Sequence, residues 1–119
     1  VRVIVVGTAL PTWAAGADVV LPITTMAEEE GTFTNLRGRV QRYLQAKPAP
    51  GLARPSWFAA GDLLAAAGEG QGFFTASEAF DAMAAQHPKF AGLSYARLGL
   101  RGLPVIEAEP AGELAGVGA

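Results

Sequence analysis

A chain of 119 residues, half of them apolar and 17% charged, is long enough for one core and too apolar to be disordered throughout. A net charge of −2 gives no general attraction to a polyanion, so nucleic acid is not an expected partner. With no cysteine, the chain holds no disulfide, no thiol nucleophile and no thiolate-bound metal or iron–sulfur cluster.

Val1-Arg-Val-Ile-Val-Val-Gly7 is a β-branched, nearly continuous run, the pattern of a strand covered on both faces in a parallel sheet. It is too short for a signal peptide, and its only charge, Arg2, lies inside it. Because the chain opens on Val1, already inside this run, it is expected to be a fragment of a longer parent. No apolar run approaches the ~18–20 residues that cross a bilayer, so no direct membrane insertion is expected.

Ala17-Asp-Val-Val-Leu-Pro22 repeats the strand pattern, and Pro22 closes it by removing a ladder donor. Thr8 to Gly16 has room for one helical turn near Pro11–Ala15 but not for a full crossover helix. The two strands are expected to run parallel. Residues 23–47 are mixed and mostly non-periodic, an extended loop with a short strand at Val40–Leu44. Lys47 to Pro55 is a proline-rich, extended connector.

Two helices follow. Ser56 is the expected N-cap of the first, with Trp57, Ala60, Gly61 and Leu64 at helical spacing and Gly68 just past its end. Thr75-Ala-Ser-Glu78 is a capping box for the second, which Pro88 stops. Ala76, Ala79, Phe80, Met83 and His87 are expected to line one face of it. Residues 89–103 read as an irregular packed segment, and 104–119 as a disordered Ala/Gly/Pro/Glu tail. The fold class is α/β: a fragment of a Rossmann-like parallel-sheet domain with two short parallel strands, an extended loop and two or three helices.

Glu28, Glu29 and Glu30 offer carboxylates for proton transfer or a hard cation, but consecutive residues do not converge in any regular element. The simpler reading is a solvated run, partly paired with Arg37, Arg39 and Arg42. Those arginines either grip phosphate or neutralise the glutamates. Gly31-Thr-Phe-Thr-Asn35 either cradles a ligand or satisfies its own backbone. His87 stands where a histidine complements a helix C-terminus, and Trp13 and Trp57 read as packing anchors. No phosphate-binding loop, dinucleotide glycine fingerprint or nucleophile elbow is present.

In order, the chain shows Ala-Asp-Val-Val-Leu-Pro (17–22), Ala-Glu-x-Glu-Gly-Thr-Phe-Thr-Asn (27–35) and Gly-Arg-Val-Gln-Arg (38–42). Ala-Arg-Pro-x-Trp (53–57) and Ala-Gly-Leu-Ser-Tyr-x-Arg-Leu (91–98) follow. This series resembles the molybdopterin oxidoreductase family near the end of its large α/β region, over about residues 1–103. Within the family, residues 35–42 look most like the G subunit of NADH-quinone oxidoreductase (respiratory complex I).

The resemblance implies electron transfer from NADH toward quinone, in a parent whose iron–sulfur clusters lie outside this chain, with this segment structural or docking. Other subunits of a respiratory complex would be its partners, on the cytoplasmic side and peripheral to the inner face of the membrane. No cofactor is expected in this chain itself, and self-association of the fragment through its first strand is expected. The alternative is a fragment of a catalytic molybdenum or tungsten bis-pterin enzyme such as a formate dehydrogenase, with molybdopterin guanine dinucleotide as cofactor. A third reading is a self-contained interaction module without redox role. The cofactor-binding candidates carried over from the family are Glu28, Glu30, Gly31, Thr32, Thr34, Asn35 and Arg39. No catalytic or metal-ligating residue is assigned.

Overall fold

In a computed structural model of the chain, the described residues are 1–105. Strand β1 (Ile4–Gly7) pairs in parallel with β2 (Val19–Pro22), Ile4 opposite Val19 and Gly7 opposite Pro22. A 3-10 turn at Thr12–Gly16 fills the short connection, as its length requires. The connector after residue 47 returns to this sheet. The Arg54 N–H donates to the Pro22 carbonyl at 3.2 Å and the Thr24 N–H donates to the Arg54 carbonyl at 3.0 Å, extending β2 by one parallel bridge.

The expected two-sided cover is incomplete: on the Val5 side Val5 is buried but Val20 is 43% exposed. Ala9 and Leu10 line a depression with Val5 and Val20, so the connector lies on the Val5 face. On the opposite face Ile4, Val6 and Val19 are each about half exposed (53%, 46% and 43%). Trp13, expected as an anchor, is 73% exposed and packs little.

The stretch expected to be mostly extended loop is instead a hairpin. Strand β3 (Gly31–Thr34) pairs antiparallel with β4 (Arg39–Tyr43), and β5 (Leu103–Pro104) adds to the far side of β4. Asn35-Leu-Arg-Gly38 makes the turn. The Asn35 side-chain oxygen accepts from the N–H groups of Arg37 and Arg39 at 2.9 and 3.0 Å, and Gly38 takes φ 71°. Pro104, placed at the start of the expected tail, pairs with Arg39, and the Val105 N–H reaches the Gly38 carbonyl at 2.8 Å. Residues 106–119 of that tail lie outside the described residues.

Helices α1 (Ser56–Ala66) and α2 (Ala76–Gln86) lie where the periodicity puts them, and a one-turn α3 (Tyr95–Leu98) follows. The Thr75–Glu78 capping box is formed in both directions, and Gly68 follows the α1 C-cap at φ 78°. Alternation along β4 turns Val40 inward, where it is fully buried against Ala76, Phe80, Ala84, Tyr95 and Leu98. Full burial of such a side chain stabilises by roughly 1.5–3 kcal/mol, so this cluster anchors the hairpin to the helices.

Candidate functional site

The three glutamates do not form a solvated run. Glu28 and Glu29 are each 7% exposed. The Thr25 N–H donates to Glu28 Oε2 at 2.9 Å, and Lys47 Nζ stands 2.9 Å from Glu28 Oε1. That backbone hydrogen bond first, and the lysine second, hold the Glu28 carboxyl below its ordinary value. None of the arginines pairs with the glutamates among the described residues, because β4 and the turn carry them elsewhere. Arg37 is exposed at the turn, Arg39 Nη1 donates to the carbonyls of Arg101 and Gly102, and the Arg42 guanidinium stacks on Tyr95.

Glu29 was outside the candidate set, yet it is the most heavily bonded side chain of the loop. Its Oε2 accepts from the Thr24 hydroxyl and the Ser56 N–H, both at 2.7 Å. Its Oε1 accepts from the Ser56 hydroxyl at 3.0 Å and the Tyr43 hydroxyl at 3.1 Å. Ser56 is therefore not the N-cap. It is the first residue of α1, and Glu29 supplies the acceptor for the helix end from a distant loop. Neighbouring Glu30 accepts from the Tyr95 hydroxyl at 3.1 Å, and its carbonyl accepts from Trp57 Nε1 at 3.0 Å. Alternate glutamates thus grip different elements.

These bonds surround a cleft of about 230 Å³ between the hairpin and the helices, with Gly31, Thr32, Ser56, Trp57, Phe80 and Tyr95 among its walls. Burial pushes the Tyr43 phenol up to about 12, with the Glu29 carboxylate adding to the effect. Burial also raises Tyr95, with Glu30 reinforcing the shift and Arg42 opposing it. Both phenols are thus held as hydrogen-bond donors.

The seven candidates fall into two groups at opposite ends of the hairpin. Glu28, Glu30, Gly31 and Thr32 lie toward α1. Glu28 and Glu30 are engaged inside the chain, and a Cβ on Gly31 would stand 2.7 Å from the Tyr43 hydroxyl oxygen. Thr34, Asn35 and Arg39 lie at the turn, where Asn35 is spent on the backbone. Thr34 is exposed, and among the described residues Arg39 Nη1 donates to the Arg101 and Gly102 carbonyls. Tyr43, Tyr95, Trp57 and Ser56 were not sequence candidates. Their common signal is a polar tip on a residue at an inward or helix-start position, which becomes visible only once the elements are assembled.

A second depression, about 110 Å³, opens at the C-terminal ends of β1 and β2, lined by Gly7, Thr8, Leu10 and Pro22 with their neighbours. In open parallel α/β sheets, that end of the strands is where ligands bind. Among the described residues no group of three or more His, Cys, Asp or Glu side chains is placed to hold a metal ion. No helix among them is long and apolar enough to cross a membrane.

The chain is an α/β protein in which a parallel strand pair is followed by a bonded acidic loop and an antiparallel hairpin. The molybdopterin oxidoreductase family model matches residues 3–66, and the chain belongs to that family. It is 49% identical over 89 residues to the alpha subunit of F420-dependent formate dehydrogenase 2 of Methanococcus maripaludis, covering 73% of this chain and 13% of that protein. The alpha subunit of formate dehydrogenase 1 of the same organism is 42% identical over 89 residues, again covering 73% of this chain and 13% of that protein. The assimilatory nitrate reductase catalytic subunit of Bacillus subtilis is 38% identical over 88 residues, covering 69% of this chain and 12% of that protein. The chain thus spans about an eighth of the length of these relatives.

These relatives overturn the expected affiliation with the G subunit of NADH-quinone oxidoreductase, and with it the NADH-to-quinone role. The structure explains the misdirection. Arg37 and Gly38, within the 35–42 stretch that carried that reading, occupy the turn. The positive φ of Gly38 makes glycine there a matter of turn geometry, not of subfamily chemistry. Membership of the family implies a molybdopterin cofactor in the parent enzyme.

Proposed function

We propose that this chain is a segment of a formate dehydrogenase-like molybdopterin oxidoreductase, and that its loop and hairpin over residues 24–39 face the cofactor. The observation that carries the reading is the 49% identity to a formate dehydrogenase alpha subunit across 73% of the chain.

The residues fit such a group in part. Thr34 brings a hydroxyl, and Arg37 and Arg39 bring guanidinium groups, to the turn end of the hairpin, donors suited to phosphate oxygens. Thr32 offers a hydroxyl at the cleft. Glu28, Glu30 and Asn35 support the reading indirectly, by fixing the loop and the turn that carry those donors. Gly7 and Thr8 add backbone and hydroxyl groups at the C-terminal end of the sheet, the general ligand side of such folds. When bound, the molybdopterin group would supply the redox chemistry. This chain's residues hold and orient its polar periphery.

The test uses the full polypeptide that contains this chain. Stoichiometric molybdenum or tungsten with formate-dependent dye reduction is expected. Nitrate reduction without formate oxidation would move the assignment to the nitrate reductase branch. Absence of both metals from active protein would refute the cofactor reading.

A further inference from the structure

Helix α1 is apolar on every side. From Trp57 to Ala67 its one charged residue is Asp62, and every other side chain is apolar. A helix of that composition belongs in a protein interior. Here Gly61 is its one buried residue, and Leu63 and Leu64 are exposed. Helical spacing puts Phe58, Ala59, Asp62, Leu63 and Ala66 on one face. Leu21 and Pro22 of β2 and Leu52 of the connector stand beside that face, and together they wall an open groove of about 320 Å³. Leu52 leaves 81% of its surface bare.

Arg54 and Asp62 set two opposite charges in this apolar wall. Among the described residues neither takes part in an ion pair. The groove therefore fits an apolar segment that brings an acidic group to Arg54 and a basic group to Asp62. A lipid surface suits it poorly, because helices that lie on membranes carry Lys or Arg on a polar face, and residues 56–67 have neither. At 11 residues the helix is also too short to cross a bilayer.

The comparisons bear on the source of such a segment. The family match over residues 3–66 takes in the whole of α1, so this face is an element of the family's fold. The chain nevertheless spans only about an eighth of the length of its relatives.

We infer that the groove between β2 and α1 is an intramolecular docking site for an apolar segment of the parent polypeptide outside residues 1–119. The segment sits on Leu21, Leu52, Phe58 and Leu63, and Arg54 and Asp62 fix its register. The inference rests on the reading of this chain as part of a longer oxidoreductase, and not on which cofactor that enzyme holds.

The test compares the 119-residue chain with the full polypeptide that contains it. Hydroxyl-radical footprinting reads the oxidation of Leu52, Phe58 and Leu63 in each. In the full polypeptide all three are expected to lose most of the oxidation that they show in the isolated chain. Leu52→p-benzoylphenylalanine places a photo-cross-linker at the groove. Irradiated in the full polypeptide, it is expected to capture a segment of the same polypeptide that lies outside residues 1–119 and carries a Lys or Arg. Asp62 is exposed in the isolated chain. Asp62→Lys should therefore leave that chain's footprint unchanged, and restore the oxidation of Leu63 in the full polypeptide. Equal oxidation of the groove in the two proteins would overturn the inference, even if the variants failed to fold. Capture of a second copy or of a separate subunit would also overturn it. A molybdenum-loaded polypeptide with an open groove refutes this inference alone, whereas a metal-free active one with a closed groove refutes only the cofactor reading.

Discussion

Glu29 and Ser56 stand 27 residues apart, yet the glutamate carboxylate receives both polar groups of the serine, the N–H at 2.7 Å and the hydroxyl at 3.0 Å. Through the same carboxylate, Thr24 after β2 and Tyr43 on β4 are tied to the start of α1. Glu29 is thus the point where the parallel pair, the hairpin and the first helix meet. Glu29→Ala leaves four donors, three hydroxyls and one helix-end N–H, without their acceptor and should cost about 3 kcal/mol, a large share of a small domain's stability. Glu30→Gln can still accept from Tyr95 and should cost less than about 1 kcal/mol. Urea unfolding of the two variants checks the order; equal losses would refute the central place of Glu29.

The tyrosines give an alkaline signature. The chain has two, and burial raises both, Tyr43 from 10 to about 12. A phenol whose folded value lies above its unfolded value contributes stability fully present below pH 10 and lost as pH rises through about 12. Tyrosinate absorbance should therefore stay low at pH 10 in the folded chain and appear there on unfolding in urea. Half-ionisation at pH 10 without unfolding would contradict the bonded phenols.

Glu28 gives the acid counterpart. Its folded value lies below 4.5, so its contribution is present above pH 4.5 and lost as pH falls through the folded value. Glu28→Gln should flatten the acid limb of the stability profile and leave the alkaline limb unchanged. An acid limb identical to that of the parent chain would remove the Thr25 and Lys47 contacts as its cause.

Much of the scaffold was legible because its signals are local. The β-branched runs, the capping box at Thr75–Glu78, Gly68 after α1 and Pro88 after α2 each act within a few residues. The hairpin was missed because Thr-Phe-Thr alternates over too short a span, and its register depends on Val40 finding Phe80 and Leu98 far along the chain. The candidate site was legible only as a region. Nothing local distinguishes Glu29 from Glu28 and Glu30. What separates them is which of three successive side chains faces α1, and that follows from assembly. Nor does the sequence show that Asn35 is consumed by its own turn, although the turn chemistry of Asn and Gly was there to be read.

Gly102 carries a sharp backbone requirement. It sits at φ 69°, and a Cβ there would run into the Val40 carbonyl oxygen and approach Gln41 Cγ to 2.8 Å. Gly102→Ala must therefore push β5 from β4 and draw Leu103 out of the core, at a cost of about 2 kcal/mol or more. Gly16→Ala, where a Cβ meets nothing within 4 Å, should change stability little. Thermal melts of the pair, together with hydrogen exchange at the Val105 amide bonded to Gly38, separate local detachment of β5 from general loss of fold. A Gly102→Ala chain as stable as Gly16→Ala would show that the β4–β5 approach is not tight.

The bare face of the parallel pair sets the solution behaviour of this chain. Ile4, Val6 and Val19 lie on one side of the ladder, about half exposed, and the unpaired edge of β1 presents free backbone donors and acceptors beside them. An apolar strand with an open edge is a template for another strand. The chain is therefore expected to self-associate, with its light-scattering mass rising with concentration. Val6→Lys puts a charge in the middle of the patch at a position 46% exposed, so the fold can accept it while a second apolar sheet cannot. The variant should scatter as a monomer over the same concentrations. A parent chain that stays strictly monomeric would show that this face is not adhesive, and an equally associated Val6→Lys would place the contact elsewhere on the molecule.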